Sequence, residues 1–402
     1  MNAYDIAVVG GGASGLAAAI SAKRVNKKAS VAVTERLPKV GKKILATGNG
    51  RCNLSNTDLG RAYHGSCRDM PDNAGICVPD FFAGLGVLCE DDGSGRIYPR
   101  CRSAASVLDA LRLECAKLGV EEICGFEVKK LEIGKAFTLR SDTDSITARS
   151  VILAGGGKSQ SALGSNGSLL GICSDIGISV APAFPALVPL KTDPALVKPL
   201  KGQRADANVT FSHNGKAVKS ERGEVQFTDG LLSGICVFDL SYLYDMYGRG
   251  SELRLDLLPG MSAEEVTALL KDTRSVRADT APEDYLSGIF TRPMGIYILK
   301  RALGRLPGKT REINDIAKVA GTIKALTFPV TGTAGFERSQ VTGGGIVADE
   351  LTERYELKKS PGMFACGELL DIYGDCGGYN LDFAFSSGIL AGRYAASDLK
   401  KL

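Results

Sequence analysis

A glycine-rich turn between an apolar strand and a small-residue helix constrains the fold of this chain more than any other feature. Residues 5–9 are apolar enough for a buried parallel strand, and Gly10, Gly12 and Gly15 then form the pattern G-x-G-x-x-G. Residues 16–23 predict a helix, and a second strand over residues 30–34 is closed by Glu35. This order of elements predicts a Rossmann-type βαβ unit that binds a dinucleotide.

Each residue of the turn has a physical role in such a site. Gly10 permits the tight turn, Gly12 lets backbone N–H groups approach a pyrophosphate, and Gly15 lets the helix pack closely on the sheet. The helix N-terminus adds partial positive charge and free donors for the phosphates. Glu35 is expected to accept hydrogen bonds from the hydroxyl groups of the adenosine ribose. The cofactor contacts predicted from this motif are Gly10, Gly12, Ala13, Ser14, Gly15 and Glu35.

The composition indicates a soluble globular protein without an obvious polyanionic partner. Hydrophobic residues make up 44% of the 402 residues, charged residues make up 23%, and the net charge is only +4. We therefore expect neither nucleic acid nor a membrane as a partner, and we expect a small-molecule substrate. The N-terminal residues lack the basic and apolar regions of a signal peptide, and no apolar run reaches membrane-spanning length, so a cytoplasmic protein is expected.

The cysteines and histidines exclude further classes of site. Eleven cysteines are scattered without a Cys-x-x-Cys pair, which predicts reduced thiols rather than a disulfide framework. Only His64 and His213 are present, so neither a metal site nor a His-dependent triad is expected.

The rest of the chain predicts an α/β domain that is interrupted by an insertion. Residues 101–118 predict an amphipathic helix, residues 125–139 a β-hairpin, and residues 151–154 a buried strand before three glycines. Closely spaced prolines follow Pro182, and helical periodicity appears at 262–271, 296–303 and 312–323. A last helix is expected over 380–397. We predict residues 1–189 and 329–402 as the two parts of a cofactor domain, and 190–328 as a β-rich substrate domain with a helical lobe at about 260–322.

Two further segments favour FAD over NAD. Residues 42–53 form a polar, glycine-rich loop with an arginine, suited to the second half of a large cofactor. Near the C-terminus, Glu368 is expected to hold ribityl hydroxyls, and a helix start at 379–381 is expected to direct its positive end at the N1/O2 edge of a flavin. The contacts predicted from these segments and from the strand at 151–154 are Lys43, Asn49, Gly50, Arg51, Cys52, Asn53, Ala154, Gly155, Gly367, Glu368, Gly378, Tyr379, Asn380 and Leu381.

These motifs together resemble the BaiN/YhiN-type flavoproteins over essentially the whole chain. The segments that carry the resemblance are the N-terminal glycine motif, the loop at 41–53, the turn at 342–345 and the segment at 377–381. The resemblance implies an FAD domain of the glutathione-reductase type with an inserted β-barrel and a small helical lobe. It also implies that Arg36 and the backbone of Val128 flank the adenosine. Family members reduce conjugated ketones of bile-acid type or oxidise aminoacetone.

The catalytic candidates remain open between chemical and packing roles. Tyr379 is a candidate proton donor to an enolate, with Asn380 beside it, but an aromatic packing role is favoured over this chemical one. Cys52 lies in the loop expected near the flavin and is either a redox thiol or a buried structural one. Arg292 and Tyr297 in the insertion are weaker candidates to face the ring.

We expect an NAD(P)H-driven, FAD-dependent reductase of the C=C bond of an α,β-unsaturated ketone, of steroid or bile-acid type. The alternatives are an amine oxidase that releases hydrogen peroxide, a flavin-dependent RNA-modifying enzyme and a redox sensor. The RNA alternative depends on basic residues that also suit a solvated helix face. These residues are Arg292, Lys300, Arg301, Arg305, Lys309 and Arg311.

Overall fold

The computed structural model describes residues 2–60, 63–71 and 75–399. The chain folds into two units, one formed by residues 1–185 and 340–402 and the other by residues 186–339. The boundaries expected from the sequence were 189/190 and 328/329. The inserted unit extends to residue 339 because a strand at 332–333 pairs with the strand at 190–191, which brings the end of the insertion back to its beginning.

In chain order, the described strands are β1 (Asn2–Val9), β2 (Val31–Glu35), β3 (Ser55–Asn56), β4 (Tyr63–His64), β5 (Cys89–Asp91), β6 (Arg96–Pro99), β7 (Glu121–Cys124), β8 (Lys130–Ile133), β9 (Phe137–Arg140), β10 (Ser145–Leu153), β11 (Val180–Ala186), β12 (Leu190–Lys191), β13 (Arg204–His213), β14 (Lys216–Thr228), β15 (Leu231–Ser233), β16 (Ser251–Asp256), β17 (Leu326–Pro329), β18 (Gly332–Thr333), β19 (Val341–Ile346), β20 (Met363–Ala365) and β21 (Tyr373–Gly374). The described α-helices are α1 (Ala13–Val25), α2 (Val78–Ala83), α3 (Ala104–Leu118), α4 (Ser168–Asp175), α5 (Pro194–Val197), α6 (Ile235–Phe238), α7 (Leu243–Tyr247), α8 (Ala263–Val276), α9 (Arg292–Leu303), α10 (Ile316–Lys324) and α11 (Tyr379–Asp398).

A mostly parallel sheet forms the centre of the first unit. Its order is β7-β2-β1-β10-β9-β8, and β20 also pairs with β10. The pairs β7–β2, β2–β1, β1–β10 and β10–β20 are parallel, whereas β9 and β8 form an antiparallel hairpin. The carboxyl ends of the parallel strands β1, β2 and β10 therefore lie at one edge of the sheet, where α/β proteins place their ligand sites.

Small residues bring the first and last helices of this unit into close contact. A Cβ atom at Gly388 would lie 2.2 Å from the carbonyl oxygen of Ser14, and one at Gly392 would lie 2.1 Å from that of Ala18. Any side chain at either position would separate α11 from α1. Because Leu16 to Ala19 and Ala391 are fully buried, this contact joins the two distant parts of the chain in one apolar core.

The second unit contains an antiparallel sheet of order β17-β16-β13-β14-β15-β12-β18. Helices α8, α9 and α10 cover a separate core that contains Phe211, Phe227 and Phe328. Helix α8 begins at a capping box, in which Ser262 accepts from the Glu265 N–H and Glu265 accepts from the Ser262 N–H. The fold class predicted from the sequence is confirmed: an α/β chain with a Rossmann-type domain and a β-rich insertion.

Two further observations concern the described residues. None of their helices is both long enough and apolar enough to span a bilayer. All eleven cysteines are free thiols, six of them buried.

Candidate functional site

The glycine turn at the end of β1 has the close contacts that the sequence motif implies. Gly10 has φ +109°, and a Cβ atom there would lie 2.4 Å from the carbonyl oxygen of Ala154. A Cβ atom at Gly15 would lie 1.9 Å from the carbonyl oxygen of Gly10, so α1 lies directly against the turn. At Gly12 a Cβ atom would have no neighbour within 4 Å. The three glycines therefore provide a turn, an open approach and a tight helix contact.

Helix α1 begins at this open position. Gly12 is its N-cap, and no side chain of the described residues caps it. The N–H groups of the first turn are consequently available to an anion, and the helix dipole favours negative charge there. This geometry suits the pyrophosphate of a dinucleotide.

Backbone donors hold the carboxylate of Glu35 at the end of β2. Its Oε2 accepts from the N–H of Gly11 at 3.1 Å, and its Oε1 accepts from the N–H of Leu37 at 2.8 Å. These two bonds fix the orientation of the carboxylate beside the glycine turn. Each carboxylate oxygen accepts more than one hydrogen bond, so Glu35 can still accept from a ribose hydroxyl.

A cleft within the first unit extends from this turn and encloses about 1030 Å³, including the volume at its open mouth. The predicted site residues that line it are Gly10, Gly12, Ala13, Ser14, Glu35, Lys43, Ala154, Gly155, Glu368, Asn380 and Leu381. Residues separated by more than 350 positions in the chain therefore share one site.

A smaller recess lies beside Gly10 and Glu35 and contains the residues expected to flank the adenosine. Arg36 and Val128 both line it, together with Phe126. The Arg36 guanidinium donates to the carbonyl oxygen of Gly164 at 3.5 Å. The recess thus combines an apolar wall with a fixed cation at the end of β2.

An ion pair connects the two distant halves of the cleft. Lys43 Nζ lies 2.9 Å from Glu368 Oε2, and the other carboxylate oxygen of Glu368 accepts from the N–H of Thr342 at 2.9 Å. The Thr342 hydroxyl oxygen in turn accepts from the N–H groups of Lys158 and Ser159. Glu368 is therefore held in place while it lines the cleft, which suits an acceptor for sugar-alcohol hydroxyls.

Aromatic and aliphatic side chains line the other end of the cleft. Tyr63, Tyr373 and Phe383 are the aromatic residues, with Ile372 and Leu381 beside them. The Tyr63 hydroxyl donates to the carbonyl oxygen of Tyr379 at 3.0 Å. A mostly apolar wall with aromatic side chains of this kind suits an aromatic ring system.

Sequence reasoning missed these aromatic residues. Tyr63 lies on β4, which pairs with β21 about three hundred positions later, so that Tyr63 lies opposite Gly374 and His64 opposite Tyr373. Nothing in the local sequence around Tyr63 indicates that pairing. Other residues of the cleft that the sequence analysis did not select include Leu37, Lys42, Thr47, Gly164, Val341 and Ala384.

The two catalytic candidates, Tyr379 and Asn380, both lie in the first turn of α11, but their surroundings differ. Asn380 lines the cleft, but its amide accepts from the N–H of Gly374 at 2.8 Å and donates to the carbonyl oxygen of Gly374 at 2.9 Å. Its side chain therefore holds β21. Tyr379 does not line the cleft, and its ring packs edge-on against Tyr63 with centroids 6.1 Å apart. A chemical role for either residue stays a prediction.

The described residues of the loop at 48–53 do not line the cleft. Thr47 lines the cleft, whereas the predicted residues Asn49, Gly50, Arg51, Cys52 and Asn53 do not. The Arg51 guanidinium lies over the ring of Tyr98 instead, 5.7 Å from its centroid. Gly15, Gly367 and Gly378 also shape the backbone around the cleft without lining it.

Burial disfavours the redox role considered for Cys52. This thiol is fully buried, and desolvation raises its pKa to about 11. The thiolate is the reactive form of cysteine, and at neutral pH almost none of it is present at this position. Cys52 has the environment of a structural thiol.

The residues of the cleft fit FAD as a whole. The uncapped N-terminus of α1 suits the pyrophosphate, Glu35 suits the ribose, Glu368 suits the ribityl chain, and the aromatic end suits the flavin ring. This fold and site define a two-domain, FAD-dependent oxidoreductase.

The chain belongs to the HI0933-like family. The family model described as the HI0933-like protein Rossmann domain matches residues 4–394. A relative from Clostridium scindens, 3-dehydro-bile acid delta(4,6)-reductase, is 36% identical over 97% of this chain and 98% of its own length. The resemblance inferred from the sequence motifs is therefore confirmed.

More distant similarities extend over nearly the same length. Ribosomal RNA dihydrouridine synthase of Escherichia coli is 26% identical, and the alignment covers 96% of each chain. The solved structure of 3-ketosteroid-Δ4-(5α)-dehydrogenase from Rhodococcus jostii has a TM-score of 0.51 at 16% identity, covering 98% of this chain and 97% of that one. At that identity the structural similarity establishes the fold alone.

Proposed function

We propose that this protein reduces a C=C bond of an α,β-unsaturated ketone of steroid or bile-acid type, with NAD(P)H as the electron donor. The observation that carries the proposal is the 36% identity to 3-dehydro-bile acid delta(4,6)-reductase over nearly the full length of both chains.

The roles of the protein in this reaction are binding, orientation and electrostatics. When bound, FAD supplies the redox chemistry by accepting two electrons from the donor and passing hydride to the substrate. The α1 N-terminus, Glu35 and the Lys43–Glu368 pair would hold the cofactor at three separate points. The N-terminus of α11 would stabilise negative charge at the edge of the flavin ring.

NAD(P)H is proposed as a transient donor. The sequence contains one glycine fingerprint in a strand–turn–helix context, and the proposed FAD site uses it. A second nucleotide would therefore bind only during reduction of the flavin and then leave. Anaerobic stopped-flow mixing of the flavin-loaded protein with NADH or NADPH tests this step directly, since flavin reduction bleaches the absorbance near 450 nm.

The substrate is tested by anaerobic turnover with a 3-oxo-Δ4 and a 3-oxo-Δ4,6 bile acid. We expect a product that has gained two hydrogen atoms, with electrons from NAD(P)H, and slow flavin reoxidation in air. A matched comparison uses testosterone as a smaller enone and the saturated 3-oxo bile acid, which lacks the reducible bond. If aminoacetone bleaches the flavin and hydrogen peroxide appears in air, the protein is an amine oxidase and the proposal fails.

The proton donor is addressed with three tyrosine variants. Tyr63 and Tyr373 line the cleft, whereas Tyr379 does not, so Y63F and Y373F are compared with Y379F. Loss of the proton donor slows enone reduction while flavin reduction by NAD(P)H continues at the normal rate. A Tyr379 role would appear as a slow oxidative half-reaction in Y379F alone.

RNA modification is the second candidate, favoured by the 26% identity to ribosomal RNA dihydrouridine synthase. The basic residues of the insertion give it little support, because acidic partners engage several of them. Arg292 lies 3.0 Å from Asp284, and Arg311 lies 2.7 Å from Asp279. Incubation with uridine-containing ribosomal RNA and NADPH, followed by nucleoside mass spectrometry, would identify dihydrouridine if this candidate is correct.

A further inference from the structure

A buried carboxyl group lies in the first turn of α11, between two residues of the cleft wall. Asp382 is 4% exposed, and its chain neighbours Leu381 and Phe383 both line the cleft. None of the roles proposed above for the cofactor site uses this carboxyl group. A buried ionisable group is costly unless it has a partner, so its contacts indicate why the fold retains it.

The partner of Asp382 is Ser55 on β3. The Ser55 hydroxyl donates to Asp382 Oδ2 at 2.5 Å, and both side chains are buried. Strand β3 directly follows the loop at 48–53. This bond therefore connects the glycine-rich loop of the N-terminal part to the helix of the C-terminal part.

Neighbouring contacts strengthen the same connection. The Asn56 amide donates to the carbonyl oxygen of Gly377 at 2.9 Å. Gly378, the N-cap of α11, lies so close to this segment that a Cβ atom there would be 2.2 Å from the carbonyl oxygen of Ser55 and 2.8 Å from Asn53 Oδ1. Residues 53–56 are thus held against the helix N-terminus by two hydrogen bonds and a close backbone contact.

We propose that Asp382 is a positioning residue that, through Ser55, seats residues 53–56 on the first turn of α11 and places one negative charge behind the flavin ring. This inference rests on the FAD-dependent reduction proposed above. The charge of Asp382 opposes the positive end of the α11 dipole and therefore disfavours added negative charge on the bound flavin. Asp382 accordingly keeps the bound flavin a stronger reductant than it would be beside an uncharged first turn.

The charge of Asp382 varies within an accessible pH range. Desolvation by burial raises the pKa of its carboxyl group to about 6, and the hydrogen bond from Ser55 opposes that rise. The titratable group with a recorded electrostatic interaction with it is the Cys77 thiol: burial is the largest cause of its raised pKa, and the charges of Asp80 and Asp382 add to the rise. The elements packed on α11 carry Lys23, Arg24, Asp80, Arg149, Glu368 and Tyr373, and the described structure gives none of these a direct bond to Asp382.

The test is the flavin midpoint potential of the FAD-loaded protein between pH 5 and pH 8, measured by equilibration with reference dyes. We expect D382N to have a more positive potential than wild type at pH 8, and the two to converge near pH 5, where Asp382 is protonated. The matched control is D398N, which removes a carboxylate hydrogen-bonded to Arg354 at the other end of the same helix. We expect its potential to follow the wild-type curve.

A second variant separates charge from position. S55A retains the carboxylate but removes the hydrogen bond that holds residues 53–56 on α11, so we expect weaker FAD binding, measured by fluorescence titration. We expect the flavin midpoint potential of S55A at pH 8 to stay close to that of wild type and below that of D382N. If D382N does not fold, S55A provides the comparison. The Ser55 hydrogen bond lowers the pKa of Asp382, so S55A is expected to move the Asp382-dependent change in the slope of potential against pH to higher pH than in wild type. Equal potentials for D382N and wild type at pH 8, or the same slope change in S55A and wild type, would overturn the proposal.

These measurements require no substrate. A potential that depends on Asp382 in a protein that does not reduce enones supports this inference and rejects the proposed substrate. Enone reduction with a potential unaffected by D382N does the reverse.

Discussion

Gly10, Gly12 and Gly15 have different physical roles, so substitutions at these positions are expected to have different effects. A side chain at Gly15 would collide with the backbone of Gly10, whereas a side chain at Gly12 would occupy open space at the mouth of the cleft. Gly15 is therefore important for folding, and Gly12 is important for ligand binding. The two glycines are needed for different physical reasons.

G15A is expected to destabilise the apoprotein by more than about 3 kcal/mol, because backbone atoms on both sides must move. G12A is expected to retain the apoprotein melting temperature and to weaken FAD binding by about tenfold or more, which corresponds to about 1.4 kcal/mol. Thermal denaturation and FAD fluorescence titration measure the two effects. The control is G171A, a helical glycine whose Cβ would meet nothing within 4 Å. A G12A protein with normal FAD affinity would contradict the pyrophosphate assignment.

At the scale of elements, the cleft depends on contacts between segments that are far apart in the chain. The Lys43–Glu368 pair joins the short helical turn after β2 to the segment after β20. Both side chains are about four-fifths buried, so water screens this pair less than a surface ion pair. The pair lies in the proposed FAD site, so its loss is expected to lower FAD affinity more than it lowers the stability of the protein.

K43M and E368Q are each expected to raise the FAD dissociation constant by about tenfold, with a smaller combined effect in the double variant than the two single effects predict. Isothermal titration with FAD gives the four dissociation constants of this cycle. Lys117 provides the control, because it pairs with Glu114 and does not line the cleft, so K117M leaves the Lys43–Glu368 ion pair intact. Strictly additive effects in the double variant would show that the two side chains act independently.

The inserted unit allows a test of whether its helices affect the cofactor at all. S262A removes the side-chain cap of α8 and is expected to cost about 1 kcal/mol of stability. The control S275A, in the same helix, removes only a hydrogen bond from the Ser275 hydroxyl to the carbonyl oxygen of Lys271. We expect it to leave the free energy of unfolding nearly unchanged. Urea denaturation followed by circular dichroism measures both. FAD affinity should remain unchanged in both variants, and a loss in S262A would connect α8 to the site.

At the scale of the whole molecule, stability depends on pH through buried groups such as Asp382. Burial raises its pKa from 3.8 to about 6, so the folded protein binds more protons than the unfolded chain between these values. The contribution of Asp382 to the free energy of unfolding therefore falls as pH rises through this window and is constant above it. The full change is at most about 3 kcal/mol.

The measurement compares wild type with D382N by urea denaturation at several values between pH 4 and pH 8. We expect D382N to gain stability relative to wild type as the pH rises from 4 to 7, with no further gain above pH 7. Exposed carboxylates that titrate in both proteins cancel in this difference. A difference independent of pH would mean that Asp382 does not change its charge in this range.

The sequence predicted most of the fold because its signals are local. The strand–glycine–helix motif at Gly10 to Gly15, the cap at Ser262 and the periodicity of α3 and α11 each lie within a few turns of chain. The aromatic end of the cleft was not predictable in this way, since it depends on the pairing of β4 with β21. The loop at 48–53 shows the same limit: its glycines indicate a special backbone, but only tertiary packing decides whether its side chains turn toward the cleft.

The contact of α1 with α11 through Gly388 and Gly392 has a consequence for biosynthesis. A ribosome releases the glycine turn early, but the opposite wall of the cleft, including Glu368 and Phe383, emerges only after the whole inserted unit has been translated. Until then the apolar face of α1 lacks its covering helix. The nascent chain must therefore avoid aggregation while this apolar face is uncovered. The cofactor site is complete only after α11 has been translated.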